Sequence, residues 1–176
     1  KAARLSGNRD IEIQATIKKG FCYYKISKYR ETETVLREAA EKLNRYRSVI
    51  GDDVYNNNYR RIAEYRSSIR YQEGRYDEAL HLLDTAISFN NRINSYDAQL
   101  SNAGYYAFIG RVYNDQGRPG EAIPALEKAV TIYRNNSDLL NSANTENDVA
   151  FSYYKLGQYR KSIELATNAM NQLTRQ

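Results

Sequence analysis

One phrase recurs four times along this chain of 176 residues. Tyr153-Tyr154-Lys155-Leu156-Gly157-Gln158-Tyr159 is followed by Ala166 and Ala169, and Tyr23-Tyr24-Lys25-Ile26-Ser27-Lys28-Tyr29 by Leu36 and Ala39. Two variants lie between them: Arg70-Tyr71-Gln72-Glu73-Gly74-Arg75-Tyr76 with Ala79, Leu83 and Ala86, and Tyr113-Asn114-Asp115-Gln116-Gly117-Arg118-Pro119 with Ala122, Leu126 and Ala129. Self-similarity at a period of a few tens of residues marks stacked supersecondary units, none of which buries its apolar face alone. The chain is thereby restricted to a repeat architecture before any residue is given a role.

Aligned on the turn, the copies place Ser27, Gly74, Gly117 and Gly157 in register, with spacings of 47, 43 and 40. Before each turn, apolar residues recur at steps of three and four, as at Tyr105, Tyr106, Ile109, Val112 and Tyr113, which is one face of a 3.6-residue period. A second such pattern follows each turn, as at Ala122, Ile123, Leu126, Ala129 and Val130. Small residues at Gly20, Gly110, Ala122, Ala129, Ala150 and Ala169 let paired helices approach closely. The pattern predicts helices over 11–27, 29–47, 53–73, 76–90, 96–116, 119–135, 138–156 and 159–174, and no sheet. Asp52 or Asp53, Ser95 and Ser137 are expected as N-caps, and Pro119 suits a first helical turn. Asn56-Asn57-Asn58, Asn90-Asn91 and Asn135-Asn136 read as turns or frayed ends.

These residues resemble the tetratricopeptide repeat, whose pattern runs from a large residue through Leu-Gly and Tyr to Ala, an apolar residue and Ala. The third copy matches at Tyr106, Ile109-Gly110, Tyr113, Ala122, Leu126 and Ala129. The fourth matches at Val149-Ala150, Tyr153, Gly157, Tyr159 and Ala169, with Ser162 at the first Ala; the first keeps Gly20, Tyr23, Tyr29, Leu36 and Ala39, with Thr32 there. The second departs most, with Arg66, Ser67 and Arg70 where Leu, Gly and Tyr belong. Either its first helix slips register or that stretch packs against something wet. The repeats exceed the usual length of about 34 residues, in which the chain looks like the long-repeat branch of kinesin light chains and several bacterial regulatory proteins. The resemblance implies an all-α right-handed superhelix, or solenoid, of about four helix hairpins. It is expected to form one repeat domain over 1–176, with repeats near 11–48, 52–92, 95–136 and 137–176, within a longer protein. Ala2, Ala3 and Leu5 read like the end of a preceding second helix. The face of Ile163, Ala166 and Met170 is expected to be covered by more chain or by a second copy.

Catalysis finds little support in the residues. His81 and Cys22 are the sole histidine and cysteine, so neither a His-based relay nor a Cys-rich zinc module can be assembled freely. No Gly-rich phosphate loop and no recurring carboxylate spacing suggests a cofactor or metal, and none is expected. No apolar run approaches the roughly 18 residues of a membrane span. The charge of +5 is uneven: residues 1–76 carry 17 Lys/Arg against 10 Asp/Glu, and residues 77–176 carry 9 against 11. Arg60, Arg61, Arg66 and Arg70, interleaved with Tyr59, Tyr65 and Tyr71, superficially resemble a nucleic-acid strip, but Glu64 and Glu73 interrupt it, and nucleic acid is not the expected partner.

The family's register instead points to a concave surface formed by the first helices. Its inward positions are Lys18, Phe21, Tyr24 and Lys25; Tyr65, Ser68, Tyr71 and Gln72; Phe108, Arg111, Asn114 and Asp115; and Asn147, Asp148, Phe151, Tyr154 and Lys155. Large rings with arginine are common binding anchors. The resemblance therefore implies a non-catalytic scaffold binding a protein or peptide, with acidic side chains favoured and self-association through the terminal repeats a further expectation. The alternative is a regulatory or sensory module of a larger bacterial-type signalling or transcription-regulating protein.

Overall fold

The computed structural model describes residues 2–93 and 95–174, and among them it holds eight helices and no strand. Residues Lys1–Asn94 and Ser95–Gln176 form two compact units. The first comprises α1 (Ala2–Lys25), α2 (Tyr29–Arg45), α3 (Asp52–Gln72) and α4 (Tyr76–Asn90); the second comprises α5 (Tyr96–Asp115), α6 (Pro119–Asn135), α7 (Leu139–Lys155) and α8 (Tyr159–Thr174). Each unit is a pair of antiparallel hairpins, α1–α2 and α3–α4 in one, α5–α6 and α7–α8 in the other.

One device closes all four hairpins. Ser27, Gly74, Gly117 and Gly157 have φ of 57°, 71°, 75° and 74°, the left-handed conformation that ends a helix. The next amide then donates back to a carbonyl five residues earlier: Lys28 to Tyr23, Arg75 to Arg70, Arg118 to Tyr113 and Gln158 to Tyr153, at 2.8–3.0 Å. Ser137, also at positive φ, ends α6 in the same way through Asp138. Rings brace three of these turns, with Tyr24 against Tyr29 at 6.0 Å, Tyr71 against Tyr76 at 5.8 Å and Tyr154 against Tyr159 at 5.6 Å.

The small residues do what close helix packing requires. In unit 1, Ile13, Ile17, Leu36, Ala39, Leu43, Ile62 and Ile69 form a continuous buried cluster. In unit 2, Ala103 and Ala107 of α5 pack on Ala129 and Tyr133 of α6, while Ala122 and Leu126 of α6 meet Val149 of α7. Fully burying a leucine such as Leu36 or Leu126 contributes roughly 1.5–3 kcal/mol.

Several local expectations are corrected. α1 begins at Ala2, so Ala2, Ala3 and Leu5 belong by backbone to the first helix rather than to a preceding one; their side chains lie outside those described. Asp52 and Asp53 sit in the first turn of α3 behind Gly51, where carboxylates favour the helix dipole without capping. Asp138, not Ser137, caps α7, accepting from the Asn141 amide; Ser95 caps α5 as expected, accepting from the Ala98 amide. Asn56-Asn57-Asn58 is no turn. It lies within α3, and buried Asn58 donates to Asp10 of α1 at 3.1 Å and to the Val54 carbonyl at 2.9 Å. The amide nitrogen thereby ties α3 to α1, while Oδ1 of Asn58 is buried without a hydrogen-bond partner.

The divergent second repeat keeps its register. Ser67 occupies the small-residue position, fully buried, its hydroxyl donating to the Glu64 carbonyl. Arg66 and Arg70 turn to Glu33 of α2 at 3.0 and 3.7 Å, and Arg70 also reaches Glu73 and Glu78. The two arginines pack against charges, while Ile69 between them joins the buried apolar cluster.

Candidate peptide-binding surfaces

In unit 1, α1 and α3 bring Phe21 and Tyr65 together, ring centroids 5.6 Å apart. Lys25, one turn after Phe21, places its ammonium 5.5 Å from that ring, and both Lys18 and Lys25 are exposed. Tyr24 and Tyr71 are half-buried and engaged with the turn tyrosines already described. The expected surface is thus split within the unit: Lys18, Phe21, Lys25 and Tyr65 share a neighbourhood, while Tyr24 and Tyr71 brace hairpins.

Unit 2 has a denser set, because α5 and α7 lie side by side. The Arg111 guanidinium sits 5.8 Å from the Phe108 ring and donates to Asp148 at 3.4 Å. Buried Asn114 donates to the Ser152 hydroxyl at 2.8 Å, and its carbonyl accepts from Lys155 at 2.6 Å. Asn114 therefore fastens α5 to α7 instead of facing a groove as the register implied. Lys155 also lies 5.1 Å from the Phe151 ring. Phe151 and Tyr154, 47% and 56% exposed, stack with an interplanar angle of 16°. Asn147 is exposed on α7, one turn before Phe151. The surface thus offers rings with cations beside them and one carboxylate. Burial pushes the Asp148 carboxyl above its ordinary range, and Arg111 opposes that shift.

The basic-aromatic strip of α3 is internally compensated: Arg60 pairs with Glu64, and Arg66 and Arg70 with Glu33, Glu73 and Glu78. A cleft of about 490 Å³ beside this network is lined by Glu33, Arg66, Arg70, Asp77, Glu78, His81 and Leu82. The pairings to Glu33 and Glu78 are not legible in the sequence, since those carboxylates lie on α2 and α4. Among the described residues no cluster of His, Cys, Asp or Glu could hold a metal ion, and no helix is long and apolar enough to cross a membrane.

Paired antiparallel helices, left-handed turn closures and small residues at the helix contacts define the class of helix-hairpin repeat proteins. The tetratricopeptide repeat model matches residues 59–135 and 100–175, more than half of the chain, and the chain belongs to that family. A search of curated proteins found no match. Solved structures share the fold. That of MamA is 16% identical and superposes with a TM-score of 0.62 over 99% of this chain and 85% of that one. The TPR-like repeats of a putative kinesin light chain of Podosopora anserina are 15% identical, TM-score 0.65, covering 93% and 75%. BtubC (BKLC) of P. vanneervenii is 13% identical, TM-score 0.53, covering 99% and 86%. At such identities the likeness speaks for the fold alone. The fold class is all-α, and the repeat family is one of protein-interaction scaffolds, typically without catalytic function.

Proposed function

We propose that the chain is a non-catalytic scaffold that binds a protein or peptide on the faces carried, within each unit, by its first helices. The observation that carries this reading is a motif repeated on three of them. Phe21 has Lys25 beside it, Phe108 has Arg111, and Phe151 has Lys155, each cation within 5.1–5.8 Å of its ring. A ring under a cation offers an apolar face for a side chain and a positive charge at its edge, a combination suited to a peptide that alternates apolar and acidic residues. Tyr65 widens the phenyl surface at Phe21, and Lys18 and Asn147 add polar groups at the rim.

The test is selection of binders from a random peptide library on the immobilised chain, followed by affinity measurement with variants. Phe108→Ala and Phe151→Ala should each weaken the selected peptide by about 2 kcal/mol, roughly 30-fold. Glu127→Ala, on the exposed side of α6, should leave affinity unchanged. Equal affinity for all three variants would place the site elsewhere.

A further inference from the structure

Each unit holds a cleft bounded by the second helix of one hairpin and both helices of the next, and the two clefts differ in chemistry. Aligned on Gly74 and Gly157, the cleft residues Arg66, Arg70, Glu78 and Leu82 of unit 1 match Val149, Tyr153, Lys161 and Leu165 of unit 2. In unit 2, Val149 is buried, and Lys161 lies over Tyr153 with its ammonium 4.0 Å from the ring and 2.8 Å from the hydroxyl. The space left there is about 240 Å³. Unit 1 sets arginine in place of both the valine and the tyrosine, and its cleft measures about 490 Å³.

Charge placed at a helix contact costs stability unless its polar groups are paired. Arg70 is fully engaged: Nη1 meets Glu73, Nε meets Glu78 and Nη2 meets Glu33, at 3.2–3.7 Å. Arg66 is not. It meets Glu33 alone, Nε 3.0 Å from Oε1, in a geometry that leaves Nε and Glu33 Oε2 buried without a hydrogen bond. Its two terminal nitrogens have no partner among the described residues, although the side chain borders the cleft. An arginine with its fork unused, at the wall of a cleft of ligand size, offers a carboxylate two parallel hydrogen bonds.

A simple anion does not answer the whole lining. Glu33, Asp77 and Glu78 set three carboxylates against the two guanidiniums, so the surroundings of that fork favour a positive group. Arg66 and Glu33 hold opposite charges side by side, 3.0 Å apart at the closest atoms. The complement of such a pair is a ligand that also carries both charges close together, as an α-amino acid does on a single carbon. We propose that this cleft binds a free α-amino acid, its carboxylate on the Arg66 fork, its ammonium at Glu33 and its side chain along half-buried Leu82. Arg66 and Arg70 then break the repeat pattern where a site requires it, as departures from local rules do. The site lies among α2, α3 and α4, apart from the ring-bearing faces, and does not rest on the peptide-binding reading.

Calorimetric titration of the full chain with each of the twenty common L-amino acids tests this. At least one should bind with a Kd below about 1 mM. For the tightest binder, the analogue without the amino group and the analogue without the carboxylate should each bind at least about tenfold more weakly, each having lost a charged contact. Arg66→Val installs the residue of the matching cleft and should abolish binding. Arg66→Lys keeps the charge without the fork and should bind at least about tenfold more weakly. Phe108→Ala and Phe151→Ala, on the other unit, should bind as the parent does. Failure of all twenty to bind the parent chain overturns the inference. Equal binding of either analogue, or undiminished binding to both Arg66 variants, overturns it as well. Loss of binding in Phe108→Ala would do the same, by moving the site to the α5–α7 face.

Discussion

Gly110 of α5 and Leu126 of α6 meet so closely that a Cβ built on Gly110 would lie 2.3 Å from Leu126 Cγ and 2.5 Å from its Cδ2. No flexible side-chain end can give way there, because Leu126 is itself fully buried against Val149. Gly110→Ala is therefore expected to destabilise unit 2 by roughly 1–3 kcal/mol through overpacking, despite alanine's better helix propensity. The equivalent Gly20→Ala meets Leu36 Cδ2 at 3.1 Å and should cost less. Denaturant titration of both variants measures the order, and equal stabilities would mean that α5 and α6 relax apart without loss.

Leu126→Ala probes the opposite error, a void. The side chain is fully buried between α5 and α7, and its loss should cost about 2–5 kcal/mol, as for other buried leucines. A loss below about 1 kcal/mol would show that the surrounding helices collapse into the space.

Turn closure gives a pair of opposite-signed substitutions. Ser27 holds φ at 57° and Gly117 at 75° in the same closing position. Serine bears the steric cost of the left-handed region and glycine does not. Ser27→Gly should therefore raise the thermal midpoint and Gly117→Ala should lower it, each by the equivalent of about 1 kcal/mol. Midpoints moving in the same direction would contradict the shared geometry.

How legible these elements are depends on whether their determinants are local. The turns can be read because a left-handed residue flanked by fixed Tyr, Ala and Gly positions is a local requirement. Seven of the eight helices accordingly begin and end within two residues of their expected bounds. The start of α1 is not legible in the same way. Asn8, Arg9 and Ile11 lie exposed along it, and a helix that buries little there shows no apolar period. Asn58 misleads for a related reason: its partner Asp10 is on another helix, so an asparagine run reads as a turn when taken alone. On the candidate surface the positions of Phe21, Phe108, Arg111 and Phe151 follow from the repeat register, but the burial of Asn114 depends on Ser152 and Lys155 across the helix pair.

Asp148 offers a pH-dependent test. Burial raises its carboxyl above the ordinary value of 3.8, and Arg111 offsets part of that shift. A carboxyl with a raised folded-state value binds its proton more tightly in the native chain. It therefore supports folding below the unfolded value, and that support is lost as pH climbs through the folded one. Asp148→Asn keeps an acceptor for Arg111 and removes the buried charge, so the variant should be more stable than the parent near neutral pH. The gap should close below about pH 4, where both forms are neutral. A parent chain more stable than the variant at pH 7 would mean that the Arg111 pair outweighs the burial of Asp148.

Salt separates the charge of each unit's binding face from its rings. Lys18, Lys25 and Arg111 are exposed, so their attraction for an acidic peptide should weaken as the Debye length falls from about 10 Å at 0.1 M salt to about 3 Å at 1 M. The contribution of Phe108 and Phe151 comes from burial of ring surface, which salt does not screen. Association rates measured by stopped flow should fall with salt for the parent and fall less for Lys25→Gln and Arg111→Gln, whereas the rates of Phe151→Ala should keep the parent's salt slope and dissociate faster. Identical salt slopes for the parent and both charge variants would mean that the peptide reaches the rings without passing over these cations.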